Sequence, residues 1–69
     1  MKKYTVLRNG EPVLDRGSKI ILANTAPTAI DIAKAIYADE LAKKDNHTEM
    51  YDYYYHESEN AEYTAEEQK

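Results

Sequence analysis

Met50-Tyr51-Asp52-Tyr53-Tyr54-Tyr55-His56-Glu57 is the stretch on which the fold turns, because it can either close a sheet as a strand or add a second helix. Successive side chains of an extended chain point to opposite faces, so a strand here sets Tyr51, Tyr53 and Tyr55 on one face and Met50, Asp52 and Tyr54 on the other. Aromatic residues fit a pleated, half-buried surface, and on that ground residues 50–56 read as a fourth strand in preference to a helix. The residues that follow, 58–69, are polar, acidic and poor in aliphatic side chains. They are expected to form a frayed helix or a flexible tail outside a single domain of residues 1–57.

The segment before this stretch has the clearest period in the chain. Ile30, Ala33, Ile36, Tyr37 and Leu41 recur at three- and four-residue spacing, with Asp31, Lys34, Asp39, Glu40 and Lys43 mostly between them, which predicts an amphipathic helix. Thr25 can cap it with Pro27 in the first turn, where a missing N–H costs nothing, and Thr28 with Asp31 is an overlapping cap candidate. Lys43 and Lys44 place positive charge in the last turn, and Asp45-Asn46 can end the helix.

Nearer the N-terminus, Tyr4-Thr5-Val6-Leu7-Arg8 runs into Asn9-Gly10, the pair suited to the positive φ angles of a type I′ turn. The return strand, near residues 11–14, contains Pro12, which cannot donate to a ladder and belongs at an edge. Asp15-Arg16-Gly17-Ser18 is a second turn, and Lys19-Ile20-Ile21-Leu22-Ala23 a third apolar run of strand length. The expected fold is α+β: an antiparallel sheet of three to four strands, built as a β-β-β-α meander on one amphipathic helix. Its core would be Val6, Leu14, Ile20, Leu22, Ile30, Ala33, Ile36, Tyr37 and Leu41.

Composition narrows the function classes. A chain of 69 residues holds one small core, and without cysteine it has no disulfide or thiolate metal site. No apolar run approaches the roughly 20 residues needed to span a bilayer, and the N-terminus lacks a signal peptide's apolar region, so a soluble, cytoplasmic protein without a membrane partner is expected. Residues 1–36 carry six basic and three acidic groups, whereas residues 37–69 carry three basic and ten acidic. A negative pole of that size repels nucleic acid and attracts basic surfaces. Lys2, Lys3, Arg8, Arg16 and Lys19 are read as solvating sheet edges rather than binding phosphates.

Residues 45–68 hold eight of the thirteen acidic residues and no Lys or Arg, and four of the seven tyrosines fall between Tyr51 and Tyr55. Carboxylates in series can stand where phosphates would lie. Duplex DNA carries one charge per ~1.7 Å over both strands, or one per ~3.4 Å of each strand. Eight carboxylates on a continuous helix give roughly one per 4 Å, and an extended chain about half that density. Tyr rings between them can stack on guanidinium groups or anchor an interface. The partner-binding candidates are Asp45, Glu49, Tyr51, Asp52, Tyr53, Tyr54, Tyr55, Glu57, Glu59 and Glu62.

Other chemistry is weakly signalled. His47 and His56 with the neighbouring acids match no closed metal set, so no metal and no cofactor is assigned. Adjacent acids such as Asp39-Glu40 or Glu66-Glu67 point to different faces of a helix, and no catalytic residue is assigned.

In kind, the chain resembles the very small, cysteine-free, acidic proteins that bacteriophages and mobile elements use against host defence or repair enzymes. These include anti-CRISPR proteins, anti-restriction proteins and uracil-DNA glycosylase inhibitors. The resemblance lies in size, charge and the acidic tyrosine stretch. It implies a non-enzymatic inhibitor that occupies the basic nucleic-acid-binding groove of a larger enzyme, a DNA mimic in the host cytoplasm that binds no nucleic acid itself. A reading from another class is a regulatory or assembly adaptor whose tyrosine-rich segment adds as a strand to a partner protein or to a second copy of the chain.

Overall fold

The computed structural model describes residues 1–44 and 50–68. Strand β1 (Lys2–Arg8) runs into a turn in which Asn9 and Gly10 have φ of 51° and 85°, the two positive angles expected of a type I′ reversal. The chain returns as β2 (Glu11–Pro12), with Glu11 opposite Arg8 and Pro12 opposite Leu7. The Val13 amide carries the ladder one step further, donating to the Val6 carbonyl at 2.9 Å.

Residues 14–20 then leave the sheet around a second tight turn. Arg16 and Gly17 have φ of 53° and 83°, and Asp15 and Ser18 exchange amide–carbonyl bonds of 2.8 and 2.9 Å. The chain rejoins β1 as β3 (Ile21–Ala23), with Ile21 opposite Tyr4 and Ala23 opposite Lys2. Along the other side of β1 runs β4 (Tyr63–Gln68), antiparallel from the Arg8–Tyr63 pair to the Lys3–Gln68 pair.

A strand has two hydrogen-bonding edges, and β4 takes one of them for most of its length. β2 and β3 therefore lie end to end on the other, as one return strand interrupted opposite Thr5. The expected meander, with the second strand between the first and third, is replaced by a sheet centred on β1.

Helix α1 (Ala26–Lys44) starts where its sequence signals predict, and Asp45-Asn46, expected to end it, lie outside the described residues. The Thr28 amide donates to Thr25 Oγ1 at 3.4 Å, the Ala29 amide donates to the Thr25 carbonyl at 3.0 Å, and Lys43 and Lys44 occupy the last turn. The sheet offers it Tyr4, Val6, Val13, Ile21 and Ala23, and the helix meets them with Ala29 and Ala33. Of the expected helical line, Ala33 is buried in this contact, Ile30 and Ile36 are half-buried beside it, and Tyr37 and Leu41 are half-buried farther along the helix. Alanines form the contact itself and let the layers approach closely.

Two expected core residues are on the wrong side of the backbone. Leu14 and Leu22 are 41% and 52% exposed, while their neighbours Val13 and Ile21 are 7% and 1% exposed. Side chains alternate with a period of two, so a register error of one residue exchanges inside for outside. Ile20 is half-buried.

The tyrosine stretch is a helix, α2 (Tyr51–Ser58), and not the expected fourth strand. Tyr51, Tyr54, Tyr55 and Ser58 fall at i, i+3, i+4 and i+7, so one side of a helix gathers them. These are its buried or half-buried residues, and they pack on Ala38, Leu41 and Ala42 of α1. The same residues carry both a two-residue and a helical period, and in the fold the helical one is used, with β4 on the edge of β1.

The fourth strand instead comes from residues 63–68, within the segment expected to be a tail. Tyr63 and Ala65 face the core, Thr64, Glu66 and Gln68 lie on the solvent face, and Glu67, on the side of Tyr63 and Ala65, is exposed past the end of the core, where it pairs with Lys2. Its start is tied down by the hairpin turn. Asn9 N–H donates to the Glu62 carbonyl at 2.8 Å, and Glu62 N–H donates to Asn9 Oδ1 at 3.0 Å.

Candidate functional site

Helix geometry sorts the tyrosines before any partner is considered. At about 100° per residue, the arc of α2 opposite its packed side holds Asp52, Tyr53, His56 and Glu57, and all four are exposed. Tyr53 is 54% exposed, whereas Tyr54 beside it is 8% exposed and meets its ring edge-on at 5.4 Å. Tyr51 and Tyr55 stack obliquely at 6.3 Å, and the Tyr51 hydroxyl donates to the Ala35 carbonyl at 3.4 Å. Of the four clustered tyrosines, Tyr53 is the one offered to solvent, and the other three hold α2 on α1.

The remaining candidates are dispersed. Glu59 is exposed at the end of α2, with its carboxylate 3.8 Å from His56 Nδ1, and Glu62 is exposed beside the hairpin turn. Asp45 and Glu49 lie outside the described residues. Because residues 50–68 divide into a helix and a strand, the carboxylates do not form one continuous series, and the charge density of a single helix or strand does not apply.

The structure adds residues that sequence reasoning did not assign to a site. Arg8 projects from the inner face of β1, in register with Tyr4 and Val6, and its guanidinium lies 3.7 Å from the centroid of the Tyr37 ring. This stack is the common wall of two open cavities. One, of about 420 Å³, is lined by Arg8, Tyr37, Leu41, Tyr53, Tyr54 and Glu57. The other, of about 240 Å³, adds Glu11, Pro12, Val13, Leu14 and Glu40 to Arg8 and Tyr37. Sharing Arg8 and Tyr37, the two adjoin as the halves of a groove, one toward the hairpin and one toward α2. A signal for Arg8 was present: in a strand, Tyr4, Val6 and Arg8 share a face, and that face is the core side rather than a sheet edge.

Electrostatics give the groove its character. Glu11, Glu40 and Glu57 stand against the single cation of Arg8, and none of the three forms an ion pair among the described residues. The ion pairs among the described residues lie elsewhere, as in Lys2–Glu67 at 3.7 Å and Asp39–Lys43 at 3.0 Å. Arg8 Nε is buried and has no acceptor among the described residues.

The neighbouring Tyr63 has its pKa raised by burial, opposed by the Arg8 charge and by hydrogen bonding to Arg8 and Ser58. Its hydroxyl donates to the Ser58 carbonyl at 2.7 Å and so joins β4 to α2. Tyr55 is also raised, by burial first and then by the negative charges of Asp31 and Glu59.

Among the described residues, no three His, Asp or Glu stand close enough to hold a metal ion, and no helix is long and apolar enough to cross a membrane. Comparison with protein-family models, with curated proteins and with solved structures gave no match.

Proposed function

We propose that this is a non-enzymatic inhibitor that occupies a basic surface of a larger nucleic-acid-binding enzyme. The observation that carries the reading is the set of unpaired carboxylates Glu11, Glu40, Asp52 and Glu57 around the groove and the exposed arc of α2, with Tyr53 projecting among them. Carboxylates held on folded elements without an ion-pair partner among the described residues are left to pair with a partner's Lys and Arg. An exposed tyrosine supplies flat area for a guanidinium or an apolar anchor at low entropic cost. No chemical step is required, and the same negative surface keeps the protein off nucleic acid.

The adaptor alternative relied on strand addition by the tyrosine segment. That segment is helical and packs through Tyr51, Tyr54 and Tyr55 on α1, so its backbone is not free to pair.

The test is capture of partners from nuclease-treated bacterial lysate, followed by competition between the protein and a duplex oligonucleotide for the captured enzyme. Mutual displacement is expected, with affinity falling steeply as salt rises from about 0.05 to 0.5 M, because the Debye length shrinks several-fold. Salt-insensitive binding that nucleic acid does not contest would sink the reading.

A further inference from the structure

The geometry points to a specific occupant for the groove: an extended peptide segment of a protein partner that carries basic side chains on both sides of Arg8. This rests on the acidic-surface reading above and names the ligand of that surface. The Arg8–Tyr37 stack divides the groove, and each half contains its own unpaired carboxylates, Glu11 and Glu40 toward the hairpin and Glu57 toward α2.

An anion such as phosphate would meet Arg8 and three carboxylates together. A metal ion or a small amine centred in the groove would meet the Arg8 charge. A peptide meets neither penalty. Its carbonyls are neutral acceptors for a guanidinium that has no carboxylate partner here and only one of whose donors is taken, by Tyr63, while its side chains carry cations outward to the glutamates.

The walls match the remaining parts of such a chain. The exposed Pro12 and Leu14 give the hairpin half apolar surface along which the methylene stem of a Lys or Arg can lie. At the other end Tyr53, braced edge-on by Tyr54, offers its free face for stacking. That end favours arginine, whose planar guanidinium can stack on the ring and pair with Glu57 at once.

The probe is a capped peptide of alternating Gly and Arg, titrated into the isotope-labelled full chain and followed by amide and Arg side-chain NMR signals. Saturable shifts are expected at Arg8, including its Nε–H, and at Tyr37, Glu40, Tyr53 and Glu57. A matched Gly–Glu peptide should leave them unmoved. The exposed double variant Glu40→Gln/Glu57→Gln should weaken binding about tenfold, and Tyr53→Ala about fivefold or more. Shifts of equal size at Glu62, Glu66 and the groove, or binding indifferent to these variants, would reduce the interaction to a diffuse ion atmosphere and overturn the proposal, as would no saturable binding. If the peptide seats in the groove but no nucleic-acid-binding enzyme competes, the partner class fails and the groove stands. If a captured enzyme contacts Glu62 and Glu66 instead, the groove assignment fails and the inhibitor reading stands.

Discussion

The two halves of α1 bury opposite sides of the same helix. Ala29 and Ala33 press on the sheet, and Ala38 and Ala42 press on α2. Nine residues separate Ala29 from Ala38, about two and a half turns, which rotates the second contact to the far side. The first core is mostly aliphatic, with Tyr4 and Tyr63 at it, and draws on three strands around Val6 and Ile21. The second is tyrosine against alanine, open on one flank to the groove. The contrast assigns stability to the first contact and presentation of the site to the second: the sheet side holds the fold, and the α2 side holds Tyr53 and Glu57 over Arg8.

The strongest way to break this division is to remove β4. A chain ending at Asn60 loses six cross-strand pairs on β1, the inward Tyr63 and Ala65, and the tie between Glu62 and Asn9. It should lose its cooperative thermal transition by circular dichroism, since a core this small has little stability to spare. A melt unchanged from full length would show that β4 adds nothing to the sheet.

The next test separates adjacent residues on one strand. Ile21→Ala should cost about 3 to 5 kcal/mol in denaturant unfolding, because the side chain is buried between sheet and helix, whereas Leu22→Ala should fall within about 0.5 kcal/mol. A larger cost for Leu22→Ala than for Ile21→Ala would mean that the strand is turned the other way, and equal costs would mean that neither face of it is the core face.

The α2 side should respond locally. Tyr54→Ala removes the buried ring of the second core and should cost about 2 to 3 kcal/mol, less than Ile21→Ala because the surrounding cluster is smaller. Hydrogen exchange should show amide protection lost across α2 while β1 and β4 keep theirs. Loss of protection in both regions would mean that the two cores form one cooperative unit.

This division also explains which parts of the architecture were legible in the sequence. Asn9-Gly10, Thr25, Pro27 and Lys43-Lys44 act within a few residues of where they stand, so the hairpin and the ends of α1 follow from local chemistry. A single apolar stripe could not describe α1, because its buried side changes midway and its fully buried residues are alanines, of which the expected stripe held Ala33 alone. The tyrosine stretch satisfied two periods at once, and the fold uses the helical one, with β4 paired to β1 across more than fifty residues of chain. For the candidate site, Tyr53, Asp52 and Glu57 were visible as composition. Arg8, Tyr37, Glu11 and Glu40 come from different elements and become neighbours only through packing.

The smallest expected effect concerns pH, and it asks which core titrates. Both Tyr63, in the sheet core, and Tyr55, in the α2 core, have pKa values raised from 10.0, chiefly by burial. A raised value in the folded state means that the folded protein keeps the phenolic proton where the unfolded chain releases it. The associated stability is therefore fully present below about pH 10 and declines as pH rises through the folded-state values. Tyr63→Phe removes that sensitivity together with the hydroxyl that donates to the Ser58 carbonyl, so it should cost about 0.5 to 1.5 kcal/mol at neutral pH yet flatten the alkaline fall. Tyr55→Phe should alter the fall less, because solvent screens its half-exposed hydroxyl. Melts of both variants across pH 8 to about 11, the range bracketing an ordinary tyrosine, give the comparison. An alkaline decline that Tyr63→Phe leaves untouched while Tyr55→Phe removes it would place the pH-sensitive contact at α2, and would mean that the helix carrying Tyr53 and Glu57 contributes more to global stability than its small core implies.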